Sequence, residues 1–426
     1  MLKERKDMVI IGFMIFASFF GAGNLIFPPY LGVLTGSSWL IGFLGFLIGD
    51  VVLSILAIVG SSKFPEEPIG ILTRGGEKFA LVMGSILMIC SCPLMVIPRT
   101  AATSFEISIL PIFPNANSII FSIVFFIISL ILTIKPSKVV DYVGQFLTPA
   151  LLLALIVLII KGIISPLGPV RDSALIDNLF LTGLSQGYQI CDAIGGTCIA
   201  IVIMASINAK GYTDQNQKIN LTIKSGIVAG ICLTIIYGGL CYVGTTVSTQ
   251  YGADIEQTAL VVSITNALLG DAGKILMGII VLLACLTTSI GTTAAVSQYF
   301  AAISNNKIKY EYVVVVVSIF SAIISNFGVS TILKVSLPVL SVIYPALVAL
   351  IILTLFTNKI KNDNVYKLAA YMAIFIGILT QFNVSFVNQL PFASLGFNWV
   401  IPTIIAAVIG NFIKSKNNNK QELNTP

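Results

Sequence analysis

About twelve long apolar stretches divide this chain, and they constrain its fold more than any other feature. Of its 426 residues, 56% are hydrophobic and 10% are charged, whereas soluble domains carry about 25% charged residues. A lipid-spanning helix needs roughly 20 apolar residues and must satisfy its backbone hydrogen bonds internally, because the bilayer core holds no water. The pattern predicts an all-α polytopic membrane protein of about twelve transmembrane helices.

No polar block is long enough to form a separate soluble domain, and the first apolar stretch is too long for a cleavable signal peptide, so it is interpreted as the first span. The predicted spans lie near residues 8–33, 38–60, 77–109, 116–134, 139–163, 180–206, 220–247, 273–304, 310–327, 331–357, 366–386 and 394–413.

The basic residues predict the orientation. Of the 24 Lys and Arg residues, nineteen precede the first span, occupy every second loop after it or lie in the tail. The opposite loops hold only Lys161, Arg171, Lys274 and Lys334. The positive-inside rule therefore predicts that both termini are cytoplasmic. The basic residues that give the net charge of +6 lie between spans, so this charge does not indicate nucleic-acid binding.

Residue types for catalysis and metal binding are scarce. Histidine is absent, which removes the commonest neutral-pH proton carrier and metal ligand. All seven cysteines lie in apolar stretches, and Cys90-x-Cys92 lacks the second pair that a zinc site needs. The acidic residues within spans are scattered. The sequence therefore predicts neither an enzyme nor an organic cofactor.

Gly21-Ala22-Gly23-Asn24 interrupts the first span at its middle. Unwound backbone at that depth is tolerated only where it lines a cavity, and there its free groups bind ions or polar solutes. The amides of Ala22, Gly23 and Asn24 are predicted to bind a substrate carboxylate. The Asn24 side-chain oxygen is a hard ligand that suits Na⁺.

Span six contains a second polar and glycine-rich segment, from Leu184 to Asp192. Spans one and six are five apart, so they cross the membrane in opposite directions. Interrupted segments at matching positions of two inverted halves are a sequence indicator of a transporter site. Packing through small residues is the structural alternative.

Four segments resemble the bacterial branched-chain amino acid transporter family of the BrnQ type: Gly12–Gly32, Ile97–Pro111, Leu147–Gly168 and Gly187–Asp214. The resemblance implies LeuT-type inverted-repeat architecture. The expected divisions are a first five-helix repeat (1–163), an inverted second repeat (164–357), and two further helices with a cytoplasmic tail (358–426). It also implies a multi-pass protein of the bacterial cell membrane.

The resemblance implies a secondary active transporter that takes up leucine, isoleucine and valine by alternating access, coupled to a cation, with Na⁺ expected. Span eight holds Thr287-Thr288-Ser289 and two further threonines, more hydroxyls than packing needs. By resemblance, Thr287 and Thr288 are sodium ligands, with partner carbonyls at Ala17, Phe20 and Ala284. Asn24 is a candidate ligand of a second Na⁺.

In span six, Gly187, Tyr188 and Gln189 are placed in the second break and predicted to contact substrate. Asp192 is costly near mid-membrane and should face a cavity or partner. It could hold the substrate ammonium, a proton or a basic side chain. Relatives often carry an acidic residue at Gln186, which leaves any proton role there open.

Span three carries Pro98-Arg99-Thr100 and Glu106. An intramembrane Arg must be paired, and Arg99 with Glu106 is predicted to form a structural or gating ion network. Direct binding of a substrate carboxylate by Arg99 is the alternative. Asp50 and Asp141 are interpreted as lying near cytoplasmic span ends, in solvated or gating roles.

Three other functions stay open. The chain could be an H⁺-coupled symporter or an exchanger of another small neutral amino acid. A channel would favour a filter loop or rings of like residues, and the sequence has neither. The expected partners are a small amino acid and the lipid bilayer, with no nucleic acid and no obligate protein partner.

Overall fold

The computed structural model describes residues 2–64, 70–135, 141–357 and 359–413, which are helical with connecting turns and contain no strand. Eight of the helical segments in these residues are long and apolar enough to cross a membrane, and Ser118–Thr133 and Val400–Phe412 are shorter apolar helices. The all-α, multi-pass prediction is confirmed. Lys138 lies outside the described residues, and so do the basic residues of the predicted tail, which follow residue 413.

The helices follow the predicted spans closely. Their bounds are α1 Leu2–Phe19, α2 Ala22–Thr35, α3 Trp39–Leu47, α4 Leu53–Ser62, α5 Glu77–Ser91, α6 Ile97–Ser104, α7 Ser118–Thr133, α8 Thr148–Ile164, α9 Leu179–Ile190, α10 Asp192–Ala209, α11 Gln215–Thr245, α12 Gln257–Leu269, α13 Asp271–Ile303, α14 Tyr310–Ile324, α15 Val329–Leu355, α16 Asp363–Gln381, α17 Ser385–Asn388 and α18 Val400–Phe412. Helix α12 was not predicted, because its 13 residues are too few for a span.

The first predicted break is confirmed, but of the predicted residues Gly21–Asn24 only Gly21 is non-helical. Helix α1 ends at Phe19 and α2 begins at Ala22, so Phe20 and Gly21 separate the two halves of span one. Gly21 adopts an extended conformation with φ −107° and ψ −173°. Two non-helical residues are enough to release the carbonyls at the end of α1 and the amides at the start of α2.

The second break is confirmed in span six, within the predicted segment from Leu184 to Asp192 but near its end. It lies at Cys191, which has left-handed backbone dihedrals of φ 63° and ψ 24° and separates α9 from α10. Gly187, Tyr188 and Gln189 are therefore in the last turn of α9 rather than in the break. A left-handed cysteine is uncommon, so no local pattern indicated this residue.

Four π-helical turns interrupt the spans, at Ile48–Val52, Cys92–Val96, Phe105–Ile109 and Val143–Leu147. Each such turn inserts a residue into the helical repeat and rotates the side chains that follow it. They are frequent at functional sites. The first two turns place Asp50 and Cys92 toward the centre of the protein.

Helix α9 packs against α3 and the π turn that follows it with almost no intervening side chains. A Cβ at Gly45 would collide with the Phe180 carbonyl, and a Cβ at Gly187 would lie 2.5 Å from the Phe46 carbonyl oxygen. Gly183 contacts the backbone of Gly42 in the same way. Gly187 therefore makes the close contact that the structural alternative, packing through small residues, describes.

Candidate substrate and ion site

A cavity with a volume of about 100 Å³ lies between the two breaks. A single water needs roughly 10–15 Å³ measured in this way, so several waters or a small solute would fit. Its walls come from both breaks, from the second π turn and α6 in span three, and from α13. They include Gly23, Asn24, Arg99, Asp192, Gly195 and Thr288.

Asn24 connects the two breaks. Its amide nitrogen donates to Asp192 Oδ2 at 2.6 Å and to the Tyr237 hydroxyl at 2.8 Å. Its carbonyl oxygen accepts the Gly21 amide at 3.2 Å. The Gly21 N–H can only donate, so the carbonyl oxygen of Asn24 lies on its side and the amide nitrogen is left for Asp192 and Tyr237. Coordination of a second Na⁺ by Asn24 stays a prediction. The ion would share the side-chain oxygen of Asn24 with the Gly21 N–H.

Arg99 faces the start of α2. A Cβ at Gly23 would lie 3.9 Å from Arg99 Nη2, so the guanidinium adjoins the first amides of this half-helix. These amides have no carbonyl partner within the helix, and the helix N-terminus carries partial positive charge. The buried Arg99 Nε has no hydrogen-bond partner among the described residues. Arg99 and the α2 amides together are a candidate site for a carboxylate.

Asp192 is the first residue of α10 and faces the same cavity. Ile190 and Cys191, at the C-terminal end of α9, are also in the cavity wall. A helix C-terminus carries partial negative charge. The carboxylate and this helix end therefore favour a cation in the part of the cavity wall that they form.

The predicted sodium ligands converge beside the first break. Thr287 Oγ1 lies 3.0 Å from the Ala284 carbonyl oxygen and 3.4 Å from that of Ala17. Thr288 Oγ1 also lies 3.4 Å from the Ala17 oxygen. Phe20 is fully buried within the break itself. Hydroxyl and carbonyl oxygens near a helix C-terminus suit a hard monovalent cation.

Gly187, Tyr188 and Gln189, in the last turn of α9, do not line the cavity. Gln189 donates to Ser185 Oγ at 3.0 Å. The Tyr188 ring packs on Tyr344, with centroids 4.7 Å apart, and on Phe397 at 4.9 Å. The structure does not bring these three residues to the cavity, and their substrate contacts stay a prediction.

Arg99 and Glu106 are not brought together. Arg99 is in the central cavity, whereas Glu106 is exposed and lines a different pocket with a volume of about 210 Å³. The π turn that begins at Phe105 changes the helical phase between them. Arg99 instead faces Asp192 and Cys285.

Two residues at the site were missed. Asp50 was interpreted as lying at a cytoplasmic span end, but it is 2% exposed and faces Asp192 from the π turn of span two. Tyr237 is fully buried and packs on Phe20 and Phe46. The position of Asp50 at mid-span was a usable signal. Nothing in the sequence distinguished Tyr237 from other span tyrosines.

Asp141 does lie at a polar cluster outside the spans. Lys210 Nζ is 3.1 Å from Asp141 Oδ1 and 3.2 Å from Asp7 Oδ1. Tyr212 donates to Asp7 Oδ2 at 3.1 Å. Burial alone would lower the pKa of Lys210, but the two carboxylates outweigh it and raise that pKa. The cluster joins the start of α1 to the segments that precede α8 and follow α10.

Solved structures of low sequence identity share this fold. A Na⁺-coupled sialic acid symporter, in a substrate-bound outward-open state, matches with a TM-score of 0.64 at 14% identity, covering 95% of this chain and 89% of its own. MhsT in complex with L-phenylalanine matches with a TM-score of 0.58 at 14% identity, covering 94% and 98%. The chain is therefore a helical membrane protein of the LeuT fold.

The family model of the branched-chain amino acid transport protein matches residues 4–417. Branched-chain amino acid permease BraB of Bacillus subtilis (strain 168) is 34% identical over 95% of each chain. A Staphylococcus aureus (strain USA300) protein, named as a branched-chain amino acid carrier, is 33% identical over 96% of this chain and 98% of its own. The chain belongs to this family, and it is a transporter rather than an enzyme.

Proposed function

We propose that this protein is a Na⁺-coupled symporter that carries leucine, isoleucine and valine into the cell by alternating access. The observation that carries the proposal is the presence of an anion site and a cation site in the wall of one cavity. Arg99 and the α2 amides form the first, and Asp192 with the end of α9 forms the second. A zwitterionic amino acid has this charge pattern.

The substrate carboxylate would bind the amides of Ala22, Gly23 and Asn24, assisted by Arg99. The ammonium would bind Asp192. The side chain would lie against apolar parts of the wall, such as Phe19, Met95 and Ile194. One methylene discriminates by only about 1–3 kcal/mol, so selectivity among the three branched substrates is expected to be loose.

The sodium ion would bind the oxygens of Ala17, Phe20, Ala284, Thr287 and Thr288. This site adjoins the end of α1, and the substrate carboxylate would adjoin the start of α2, so only the two-residue break separates the opposite charges. Each would raise the affinity of the other electrostatically. One Na⁺ moving down 100 mV releases about 2.3 kcal/mol, which supports roughly fiftyfold accumulation.

The test is uptake of labelled leucine into proteoliposomes, with an inward gradient of Na⁺ or of choline. Saturable uptake that collapses in choline supports the proposal. Uptake that is linear with concentration would indicate a channel, and saturable uptake that needs no Na⁺ would contradict sodium coupling.

Competition with two leucine analogues tests the charge pairing. One lacks the carboxylate (isopentylamine) and the other lacks the ammonium (4-methylpentanoate). Both should compete at least about tenfold more weakly than leucine, since each leaves one buried charge unpaired. Replacement of Arg99 by Lys should weaken leucine binding while leaving isopentylamine binding unchanged. Equal losses for both compounds would argue against Arg99 at the carboxylate.

A further inference from the structure

A groove between α7 and α14 lies outside the central cavity. It has a volume of about 400 Å³, and its wall includes Ile119, Ile123, Ile127, Leu130, Ile319 and Ile323. Four of these side chains, Ile123, Ile127, Ile319 and Ile323, are between 50% and 60% exposed. In a protein that spans a membrane, exposed isoleucines on apolar helices face lipid rather than water. The groove therefore opens to the bilayer.

The groove has the depth of one leaflet of the bilayer. On α7 its wall extends from Ile119 to Leu130, which is about 16 Å at a rise of 1.5 Å per residue. The hydrocarbon core of a bilayer is about 30 Å thick, so one leaflet contributes about 15 Å. A single acyl chain that lies between the two helices would therefore fill the groove from the membrane surface to the midplane.

A polar pocket continues the groove at the end where α7 begins. The pocket has a volume of about 210 Å³ and shares Ser122 and Asn326 with the groove. Its wall also contains Glu106, in the π turn at the end of span three. The pocket and the groove thus form one continuous amphipathic site, which is polar at the membrane surface and apolar below it. We call it the lateral site.

Glu106 and Asn326 offer hydrogen-bond acceptors to a ligand at the polar end. The amide nitrogen of Asn326 donates to the Ser122 hydroxyl at 3.1 Å and to the Ala322 carbonyl at 2.7 Å. The Asn326 side chain can therefore meet a ligand through its carbonyl oxygen, which accepts. Glu106 is exposed, and an exposed carboxyl group is ionised at pH 7. A carboxylate and an amide oxygen favour an ammonium group, which carries positive charge and three donors.

We propose that the lateral site binds one membrane lipid of the phosphatidylethanolamine type. The ammonium of its head group would bind Glu106 and Asn326, and one of its acyl chains would lie in the groove between α7 and α14. An anionic lipid would instead bring its phosphate next to the Glu106 carboxylate. The lateral site shares no wall residue with the central cavity, so the proposal does not depend on the identity of the transported substrate.

The head group is tested by native mass spectrometry of the full-length protein in detergent, titrated with phosphatidylethanolamine or phosphatidylglycerol that carry the same acyl chains. The wild type should bind one phosphatidylethanolamine at least about threefold more tightly than one phosphatidylglycerol, because an exposed ion pair is a modest interaction. Glu106→Gln should bind both lipids equally. Glu256→Gln is the control, since Glu256 is an exposed acid outside the lateral site, and it should keep the preference.

The acyl chain is tested in the same titration with a larger side chain in the groove. Ile127→Trp should prevent the binding of both lipids. Ile128→Trp is the matched control, because Ile128 is 43% exposed on the same helix but is not in the groove wall, and it should bind lipid as the wild type does. Equal affinity of the wild type for the two lipids would overturn the proposal. Undiminished lipid binding by Ile127→Trp, or an unchanged preference in Glu106→Gln, would do the same.

The spectra also report whether a second copy of the chain occupies the groove. A dimer that is present in the wild type and absent in Ile127→Trp would assign the groove to that second copy and overturn the proposal. If Ile127→Trp does not fold, photochemical cross-linking of the wild-type protein decides.

The cross-linking uses lipid nanodiscs that contain phosphatidylethanolamine with a diazirine in one acyl chain. Peptide mass spectrometry should find adducts on α7 and α14, and an excess of unlabelled phosphatidylethanolamine should suppress them. Leu153 and Ile164 of α8 are 66% and 74% exposed and serve as the reference for non-specific contact with lipid. Adducts on α7 and α14 that are no more frequent than those on α8 would overturn the lateral site.

Discussion

Asn24 Nδ2 donates to Asp192 Oδ2 at 2.6 Å, and this hydrogen bond joins the broken ends of spans one and six. The same nitrogen reaches Tyr237 in span seven. Three spans therefore meet at one side-chain amide. The carbonyl oxygen of the same side chain accepts the Gly21 N–H just before α2. The shape of the first break therefore depends on the Asn24 side chain.

Asn24→Ala should abolish leucine uptake and destabilise the protein. It removes partners from the Gly21 amide, the Tyr237 hydroxyl and the Asp192 carboxylate, and an unpartnered buried group costs about 1–3 kcal/mol. Thermal unfolding in detergent and proteoliposome uptake measure the two effects. Asn216→Ala, at an exposed position, is the control and should change neither. Normal uptake by Asn24→Ala would show that the bridge is dispensable.

Gly23→Ala and Gly187→Ala should behave differently. A methyl group at Gly23 has its nearest neighbours at 3.9 and 4.0 Å, so the variant should fold, but the methyl group obstructs approach to the α2 amides. The leucine KM should rise about tenfold, or ~1.4 kcal/mol. At Gly187 the methyl group meets the Phe46 carbonyl, so expression and stability should fall instead. An unchanged KM in Gly23→Ala would remove these amides from the substrate site.

Thr288→Ala should weaken sodium activation more than it weakens leucine binding at saturating sodium. The hydroxyl lies 3.4 Å from the Ala17 carbonyl oxygen, where the ion would bind. The half-saturating sodium concentration should rise at least about tenfold, and Thr288→Ser should restore most of the loss. Thr354→Ala is the control, since that hydroxyl donates to its own helix at Leu350. Unaltered sodium dependence would disprove the site.

Lys210→Met should lower thermal stability to an extent that depends on pH. The pKa of Lys210 is raised in the folded protein, so its charge stabilises the fold fully below the pKa of about 10.4 that lysine has in the unfolded chain. That contribution is lost as the pH rises through the pKa of Lys210 in the folded protein. The difference in Tm between wild type and variant should therefore be constant from pH 7 to 10 and then shrink. A difference that grows above pH 10 would contradict this sign.

Sequence patterns predicted the two breaks because each has a local chemical cause. The residues that the resemblance implies as sodium ligands lie close together, and their sodium binding stays a prediction. Small and polar residues do not continue an apolar span. Burying the hydroxyls of adjacent threonines beside a broken helix costs free energy unless they have a hydrogen-bond partner. Ala17, Ala284, Thr287 and Thr288 accordingly lie together. Span positions were predicted for a similar reason, since bilayer thickness fixes helix length.

The errors came from changes in helical phase. A π turn rotates Asp50 into the centre, and another changes the helical phase between Arg99 and Glu106, whose ion network stays a prediction. Cys191 breaks span six through a left-handed backbone, for which a cysteine gives no warning. Glycine serves both unwound backbone and close helix packing, so the sequence alone did not reveal the packing contact of Gly187, and its substrate contact stays a prediction.

The glycine contacts between span two and α9 also restrict how the protein can move. The backbone carbonyls of these helices contact the neighbouring backbone directly, so no flexible side chain lies between them that could change rotamer when one helix slides along the other. Helix α9 and span two are thus expected to tilt as a single rigid body. Any opening of the pathway would then pivot at Cys191, the residue next to the acid that we propose to bind the substrate ammonium.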